Sequence, residues 1–300
     1  MTRVGVVMVT FRGGDAVAGA LDALARAAGE RGANAELDVV IVDNASRDGT
    51  VDRVRRHAPA AHLIESPENV GFAAGCNLGI GRLQNADVIV LLNPDVEVRA
   101  DFIVRLATLD WPSDMAARGP AVLDEHGQLE QSARGFPRAS TGLLGRSSWL
   151  ARARPGSSLL RRDLVADPGA GAQPVDWVSG ACMIAPAERF RSVGPLDERY
   201  FMYWEDADWC LRAARRGYNV VYEPALVVTH RQGSSSAGRW FATTIAFHRS
   251  AFRYWRANVA RSPVSVAFAA AALTLRCILK LAAQAARRSI IGVRRRRGGR

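Results

Sequence analysis

Over its first hundred residues the chain alternates short valine-rich runs with stretches of helical period, and each apolar run closes on a polar residue. The runs are "VGVVMVT" (4–10), "LDVVIVD" (37–43) and "DVIVLLNPD" (87–95), with a further short strand at 62–65. Runs this short and this apolar suit strands buried on both faces. Between them lie a helical pattern from Val17 to Ala28, a turn at Asp48-Gly49, a short helix with Val51 and Val54 on one side, and a helix over 72–83. That alternation predicts an α/β protein with a doubly wound, mostly parallel sheet. In such sheets ligands bind beyond the carboxyl ends of the strands. Thr10, Asp43 and Asp95 are each expected to end a strand, and so to converge on one crevice.

After residue 115 the pattern changes. Residues 133–173 are rich in Arg, Gly, Ser and Pro and read as an irregular excursion. "VDWVSGACMIAP" then alternates like a strand, and mixed strands and short helices run to about residue 230. A helical tail from about 239 to 293 follows, with Ser262-Pro263 as a helix opening. The expected organisation is one domain over 1–238, split into halves 1–115 and 116–238, and a tail over 239–300.

Charge separates the tail from the rest. The net charge is +11, yet no Asp or Glu occurs beyond Glu223, where fifteen Arg and Lys residues fall. The first 223 residues then hold 25 basic against 29 acidic residues. A basic stripe of Arg276, Lys280, Gln284, Arg287 and Arg288, ahead of "RRRR" at 294–297, lies on one helical face with Leu275, Ile278, Leu279 and Ala282 on the other. This pattern suits an in-plane anchor on an anionic leaflet. Aromatic residues are not interleaved with the charge, which argues against nucleic acid as a partner. The longest apolar run, Pro263 to Leu275, ends at Arg276, short of the ~20 residues a membrane span needs. Cys76, Cys182, Cys210 and Cys277 form no C-x-x-C pair, and three of them sit in apolar surroundings, as in a reduced cytosolic protein. The N-terminus lacks the pattern of a signal peptide.

Several stretches could carry chemistry. In "LLNPDVEV", Asp95 is either a turn residue or an oxygen ligand for Mg²⁺ or Mn²⁺ beside a diphosphate. In "VDNASRDGT", Asp43 could terminate a strand or accept from a pyrimidine N–H, with Asn44 beside it. "ENVGFAAGCNLGI" opens a helix on small residues, with backbone N–H groups suited to a phosphate and Asn77 reaching into the cleft. "FMYWEDADWCLRAARRGY" (201–218) packs Glu205, Asp206 and Asp208 between two tryptophans. A helix starting near Glu205 puts Ala207, Cys210, Leu211 and Ala214 on its core face. Asp208 can pair with Arg212, Glu205 favours a helix start, and Gly217 is a stop. Asp206 has no such structural account and is the candidate base. His230 ends an apolar strand before a Gly-Ser loop, where a metal ligand and a lid could sit.

Taken together, "VVMVTF", "IVDNASRDGT", "NVGFAAGCNLGI", "LLNPDVEV", the segment 178–218 and "VVTHRQGSSS" resemble, in order and over residues 4–236, a family 2 glycosyltransferase of the GT-A fold. Within it they look most like bacterial dTDP-rhamnosyltransferases acting on lipid-linked N-acetylglucosamine. The resemblance implies inverting transfer of L-rhamnose from dTDP-L-rhamnose to a polyprenyl-diphosphate-linked or glycan acceptor in cell-wall synthesis. It implies an enzyme peripheral on the cytoplasmic face of the plasma membrane. Another donor, a UDP-hexose or UDP-galactofuranose, is the neighbouring reading, and an inactive nucleotide-sugar-binding scaffold the contrasting one. By resemblance Asp206 is the general base. Thr10, Phe11, Asp43, Asn44, Gly71, Asn77, Asn93, Asp95 and Gly180 hold the nucleotide sugar, Asp95 and His230 bind a divalent metal, and Trp204, Glu205 and Asp208 face the acceptor. Asn93 stands where the family's first metal-motif acid would be, which removes one charge there.

Overall fold

The computed structural model describes residues 1–30, 34–137, 171–231 and 240–297, with side chains to residue 286. The first half builds as its periodicity predicts. Strands β1 (Thr2–Thr10), β2 (Ala35–Asp43), β3 (His62–Glu65) and β4 (Val88–Leu92) alternate with helices α1 (Gly14–Ala28), α2 (Thr50–His57) and α3 (Phe72–Ile80). All four strands pair in parallel, in the order β3-β2-β1-β4. Alternate residues of one strand feed two cores. Val7, Val9, Val40, Val42 and Leu91 face α3, while Val6, Met8, Ile41, Val90 and Leu92 pack on Val17, Leu21 and Leu24 of α1. Period-2 burial on both faces is why these runs lack polar residues until their ends.

The second half extends the same sheet. Strands β5 (Val96–Val98), β6 (Met115–Leu123), β8 (Gln173–Val175), β10 (Cys182–Pro186) and β11 (Asn219–His230) complete nine, in the order β3-β2-β1-β4-β10-β6-β11-β5 with β8 beside β11. β10 is antiparallel to β4 and β6, and β11 runs parallel to β6. Strands β7 (Ala133–Arg134) and β9 (Trp177–Val178) form a separate two-stranded ladder. Helices α4 (Phe102–Ala107), α5 (Ala187–Ser192) and α6 (Glu205–Ala214) cover the sheet, and α7 (Trp240–Asn258) and α8 (Pro263–Arg297) form a C-terminal hairpin.

Some sequence expectations change. "DVIVLLNPD" is not strand to its end: β4 stops at Leu92, and Asn93-Pro94-Asp95 turns the chain into β5 at the far edge of the sheet. Proline at 94 has no N–H to continue a ladder. The helix expected over 72–83 ends at Ile80. "VDWVSGACMIAP" divides between β8, β9 and β10, because the Gly180 N–H goes to the Asp206 carboxylate instead of a neighbouring strand. On α6 the buried apolar positions are Ala207, Trp209, Cys210 and Ala213, while Leu211 is half-buried and Ala214 exposed. Of the expected excursion over 133–173, residues 138–170 lie outside the described residues, as do "GSSS" (233–236) and the side chains of Arg287, Arg288 and "RRRR". Cys76, Cys182 and Cys210 are buried free thiols.

The tail departs most from expectation. On α8 the inward face is Ala269, Leu273, Arg276, Cys277, Lys280 and Gln284, whereas Val264, Phe268, Leu275, Ile278 and Leu279 point out. Apolar Ala269 and Leu273 are the most buried of these, but over 275–284 the polar residues Arg276, Lys280 and Gln284 turn inward while Leu275, Ile278 and Leu279 face outward, against the ordinary pattern of a surface helix. The segment Pro263–Ala286, with a mean hydropathy of 1.8, is also long and apolar enough to cross a membrane by length and composition. Arg276 therefore does not end the apolar segment, because one cation inside a helix leaves the hydropathy of the rest intact.

One buried ion pair joins β6 to β11. Arg118 and Glu223 meet in the interior, and the Arg118 guanidinium also donates to the Asp110 carbonyl at 2.9 Å. Removing one partner strands a buried charge, which costs about 3–5 kcal/mol. Glu223→Ala is expected to lower the urea midpoint accordingly, and an unchanged midpoint would show that the pair is dispensable.

Candidate active site

A cavity of about 850 Å³ opens at the carboxyl ends of β1, β2 and β4. Thr10 and Asp43 are register partners there, and Asn44 follows directly. All three are buried, and Thr10 Oγ1, Asp43 Oδ1 and Asn44 Oδ1 have no hydrogen-bond partner within the protein. Asp43 Oδ2 accepts the Ser46 N–H at 2.8 Å, and Asn44 Nδ2 donates to the Gly71 carbonyl at 3.0 Å. Buried oxygens left without donors are destabilising unless a ligand supplies them. Thr10, Phe11, Asn44, Gly71, Asn93, Asp95 and Gly180 line the cavity, and Asp43 sits behind them.

Asn77 is placed elsewhere. Its amide accepts the Leu196 N–H at 3.0 Å and donates to the Leu196 carbonyl and Glu198 Oε1, both at 2.9 Å. It ties α3 to the loop at 196–198 and does not line the cavity.

The acidic cluster divides by burial and partner. Asp208 pairs with Arg212 at 2.9 Å and accepts from Tyr200 and Asn258, each at 3.4 Å, away from the cavity. It is structural rather than acceptor-facing. Glu205 lines the cavity, is buried, and has Oε2 without a partner. Burial raises its carboxyl, and the charge of Asp206 adds to this. Asp206 is half-buried at the first turn of α6. Its Oδ2 accepts the Gly180 N–H at 2.8 Å and its Oδ1 the Ala207 N–H at 2.7 Å. Burial raises its pKa, against the pull of those N–H groups and of Arg134. Just before it, Tyr203 and Trp204 both hold positive φ, at 69° and 74°. Two such bulky residues in succession are strained, a condition that persists where surrounding structure over-determines it. Here Trp204 is held against Tyr254 and Phe247 of α7, with ring centroids 5.1 and 5.9 Å apart, and the Met202 carbonyl accepts from Ser250 at 2.9 Å.

Asp95 and His230 meet because β5 pairs with β11, which sets His230 against Val96. His230 Nε2 lies 3.3 Å from Asp95 Oδ1, and Nδ1 lies 3.1 Å from Glu130 Oε2. Burial pulls the imidazole pKa down, but the two carboxylates outweigh it and hold it up at about 9. A carboxylate oxygen beside an imidazole nitrogen is a donor set that would suit a divalent cation, and Asp95 and His230 are the residues here that would hold one. Among the described residues no group of three His, Cys, Asp or Glu could hold a metal alone.

Two residues here escaped the sequence reading. Glu130 braces His230, and Arg134 lines the cavity near Asp206 with its guanidinium over the Trp177 ring, 5.1 Å from the centroid. Both sit in or beside the segment read as irregular. Only the β7–β9 ladder brings Arg134 to the site.

A mostly parallel sheet with unsatisfied oxygens at its carboxyl edge, an acid–histidine pair and a half-buried carboxylate in one cavity fits the GT-A type glycosyltransferase that the sequence motifs resemble. The comparisons agree. The model of Glycosyl transferase family 2 matches residues 5–109. An N-acetylglucosaminyl-diphospho-decaprenol L-rhamnosyltransferase of Mycobacterium tuberculosis is 32% identical over 228 residues, covering 71% of this chain and 72% of that protein. A low-salt glycan biosynthesis hexosyltransferase of Haloferax volcanii is 29% identical over 198 residues, covering 65% of this chain and 59% of its own length. A mannosyltransferase of Pyrobaculum calidifontis, solved with GDP-Man and Mn²⁺, superposes over 94% of this chain and 75% of its own with a TM-score of 0.56 at 20% identity. The chain belongs to glycosyl transferase family 2 and is a glycosyltransferase.

His230 also predicts a pH dependence. Its folded pKa lies above the ordinary ~6.5, so its protonation stabilises the fold below that value, and the contribution disappears as pH rises through about 9. In metal-free buffer, wild type is expected to exceed His230→Gln in thermal midpoint at pH 6 and to lose that margin by pH 10. A constant margin would contradict the arrangement.

Proposed function

We propose that the chain transfers L-rhamnose from dTDP-L-rhamnose, with inversion, to a lipid-linked N-acetylglucosamine acceptor in cell-wall glycan synthesis. The reading is carried by one cavity that brings Asp206 together with Asp95 and His230, in a chain 32% identical to a protein named for that reaction.

Thr10, Asp43 and Asn44 bind the base through the oxygens that lack donors, and a pyrimidine N3–H suits the Asp43 carboxylate. Asp95 and His230 would hold Mg²⁺ or Mn²⁺, and the ion would supply positive charge to the diphosphate leaving group. Asp206 takes the proton of the acceptor hydroxyl while that oxygen bonds to the anomeric carbon and the bond to the diphosphate breaks. Burial lifts the Asp206 pKa toward the working range of a general base, while the Gly180 and Ala207 N–H groups fix its orientation. Arg134 adds positive charge on the same side, and Trp204 and Glu205 face the acceptor.

We read residues 1–238 as the catalytic domain and 239–300 as its attachment to the inner face of the plasma membrane. The attachment works through the outward apolar face, not through the Arg276–Lys280 stripe. Leu275, Ile278 and Leu279 are more than half exposed, with Trp240, Phe241 and Ile245 of α7 also at the surface. Because Lys280 and Gln284 line the catalytic cavity, α8 lies along the membrane plane instead of crossing it.

A donor screen tests the reaction. Nucleotide release in the presence of a polyprenyl-diphosphate-linked N-acetylglucosamine is expected to be fastest with dTDP-L-rhamnose, to stop with EDTA and to return with Mn²⁺ or Mg²⁺. Preference for a UDP-hexose or UDP-galactofuranose would replace the rhamnose assignment. Asp206→Asn is expected to bind donor while losing ~10²-fold or more in turnover, and near wild-type turnover would remove Asp206 as the base.

Vesicle sedimentation tests the attachment. The triple change Leu275→Ser, Ile278→Ser and Leu279→Ser, on exposed positions, is expected to release the protein from anionic vesicles. Complete release of wild type by high salt alone would overturn apolar insertion and favour a purely electrostatic contact.

A further inference from the structure

One wall of the catalytic cavity comes from the C-terminal hairpin, through Thr243, Thr244 and His248 of α7 and Lys280 and Gln284 of α8. Lys280 is the only lysine among 40 basic residues. It is half-buried, and no carboxylate lies within ion-pair distance of it among the described residues. Arg276, one turn away, adds to the positive field. Partly buried cations without a counter-ion are destabilising unless an anion joins them.

The groups around Lys280 are consistent with such an anion. Gln284 Nε2 donates to Thr244 Oγ1 at 3.2 Å, which fixes the amide against α7. The His248 ring nitrogen Nδ1 lies 2.8 Å from the Thr244 carbonyl, while Nε2 is buried without a partner. A carbonyl only accepts, so His248 Nδ1 carries a hydrogen, and burial with Arg276 and Lys280 nearby lowers the His248 pKa. The Trp204 indole N–H, on the same cavity, also lacks an acceptor. Lys280 and Trp204 thus line one cavity, Lys280 without a carboxylate in ion-pair distance and Trp204 with an indole N–H that finds no acceptor.

The reverse side of α8 is apolar and exposed at Leu275, Ile278 and Leu279. A helix is about 10 Å across, so one short element presents a cation to the cavity and a greasy surface to the outside. An amphiphile with a phosphate head and a prenyl chain matches both faces.

We propose that Lys280, with Trp204 on the same wall of the cavity, forms a binding site for the phosphate that joins the acceptor sugar to its lipid, with the chain leaving over the outer face of α8. This rests on the reading of the acceptor as lipid-linked. The hairpin would then be part of the acceptor site as well as a membrane attachment. It would select phosphate-linked acceptors over free sugars.

The single lysine makes a direct test available. Reductive methylation with ¹³C-formaldehyde of the full chain labels Lys280 and the N-terminal amine alone, and Lys280→Arg assigns the lysine signal by its loss. Farnesyl diphosphate is expected to move that signal and dTDP to leave it in place. Lys280→Gln is expected to raise KM for a polyprenyl-diphosphate-linked acceptor about tenfold, as for loss of one charged hydrogen bond, with kcat little changed and Lys280→Arg restoring most of the affinity. A signal that answers dTDP but not farnesyl diphosphate would assign Lys280 to the donor and overturn the proposal, as would an unchanged KM. If wild type transfers to no lipid-linked acceptor while farnesyl diphosphate still moves the signal, the acceptor reading fails and the phosphate site stands.

Discussion

The backbone of Phe201 rests directly on Gly71, and much of the site follows from that contact. The Phe72 N–H donates to the Phe201 carbonyl at 2.7 Å, and a Cβ at Gly71 would stand 2.4 Å from the same oxygen. Gly71 also holds φ at 90°, a region that only glycine enters without strain. Through this junction the nucleotide half and the catalytic half share an edge. Asn77 makes a second tie, gripping the loop at 196–198 from the other end of α3. Directly after the Phe201 anchor, Tyr203 and Trp204 hold positive φ as the chain bends into α6. Asp206 emerges from that bend already aimed at Gly180.

A second constraint works through the sheet. β5 leaves β4 after the Asn-Pro-Asp turn and crosses to pair with the end of β11. The Arg231 N–H donates to the Asp95 carbonyl at 2.8 Å, so the acid and His230 are held by backbone rather than by long side chains. A pair held this way is positioned by the fold itself rather than by side-chain rotamers. Glu130 reaches His230 from the loop after β6 and orients the ring from behind, as supporting groups do in many metal sites.

The hairpin α7–α8 buries Tyr254, Trp255, Ala269 and Leu273 in the ordinary way, but near Lys280 it turns polar residues inward: Lys280 and Gln284 line the cavity while Leu275, Ile278 and Leu279 face outward. Sequence periodicity shows two stripes on α8 but carries no sign saying which one meets the protein. Only the structure shows that Lys280 and Gln284 of the basic stripe line the cavity.

The amino-acid sequence by itself determined the parallel α/β half, because valine-rich runs buried on both faces leave no other local solution. It also determined the places of Thr10, Asp43 and Asp206, since strand ends and helix starts are read from local pattern. Asp208 could be matched to Arg212 from spacing alone. Only the tertiary structure decided what depends on non-local pairing. It took Asn77 out of the cleft and gave it to Leu196, brought Glu130 and Arg134 into the site from a stretch without periodic signal, and turned the basic stripe of α8 inward. Local periodicity encodes the backbone period and the burial of a face. Which distant surface that face meets is set by sheet order and helix docking, and no stretch of a dozen residues contains either.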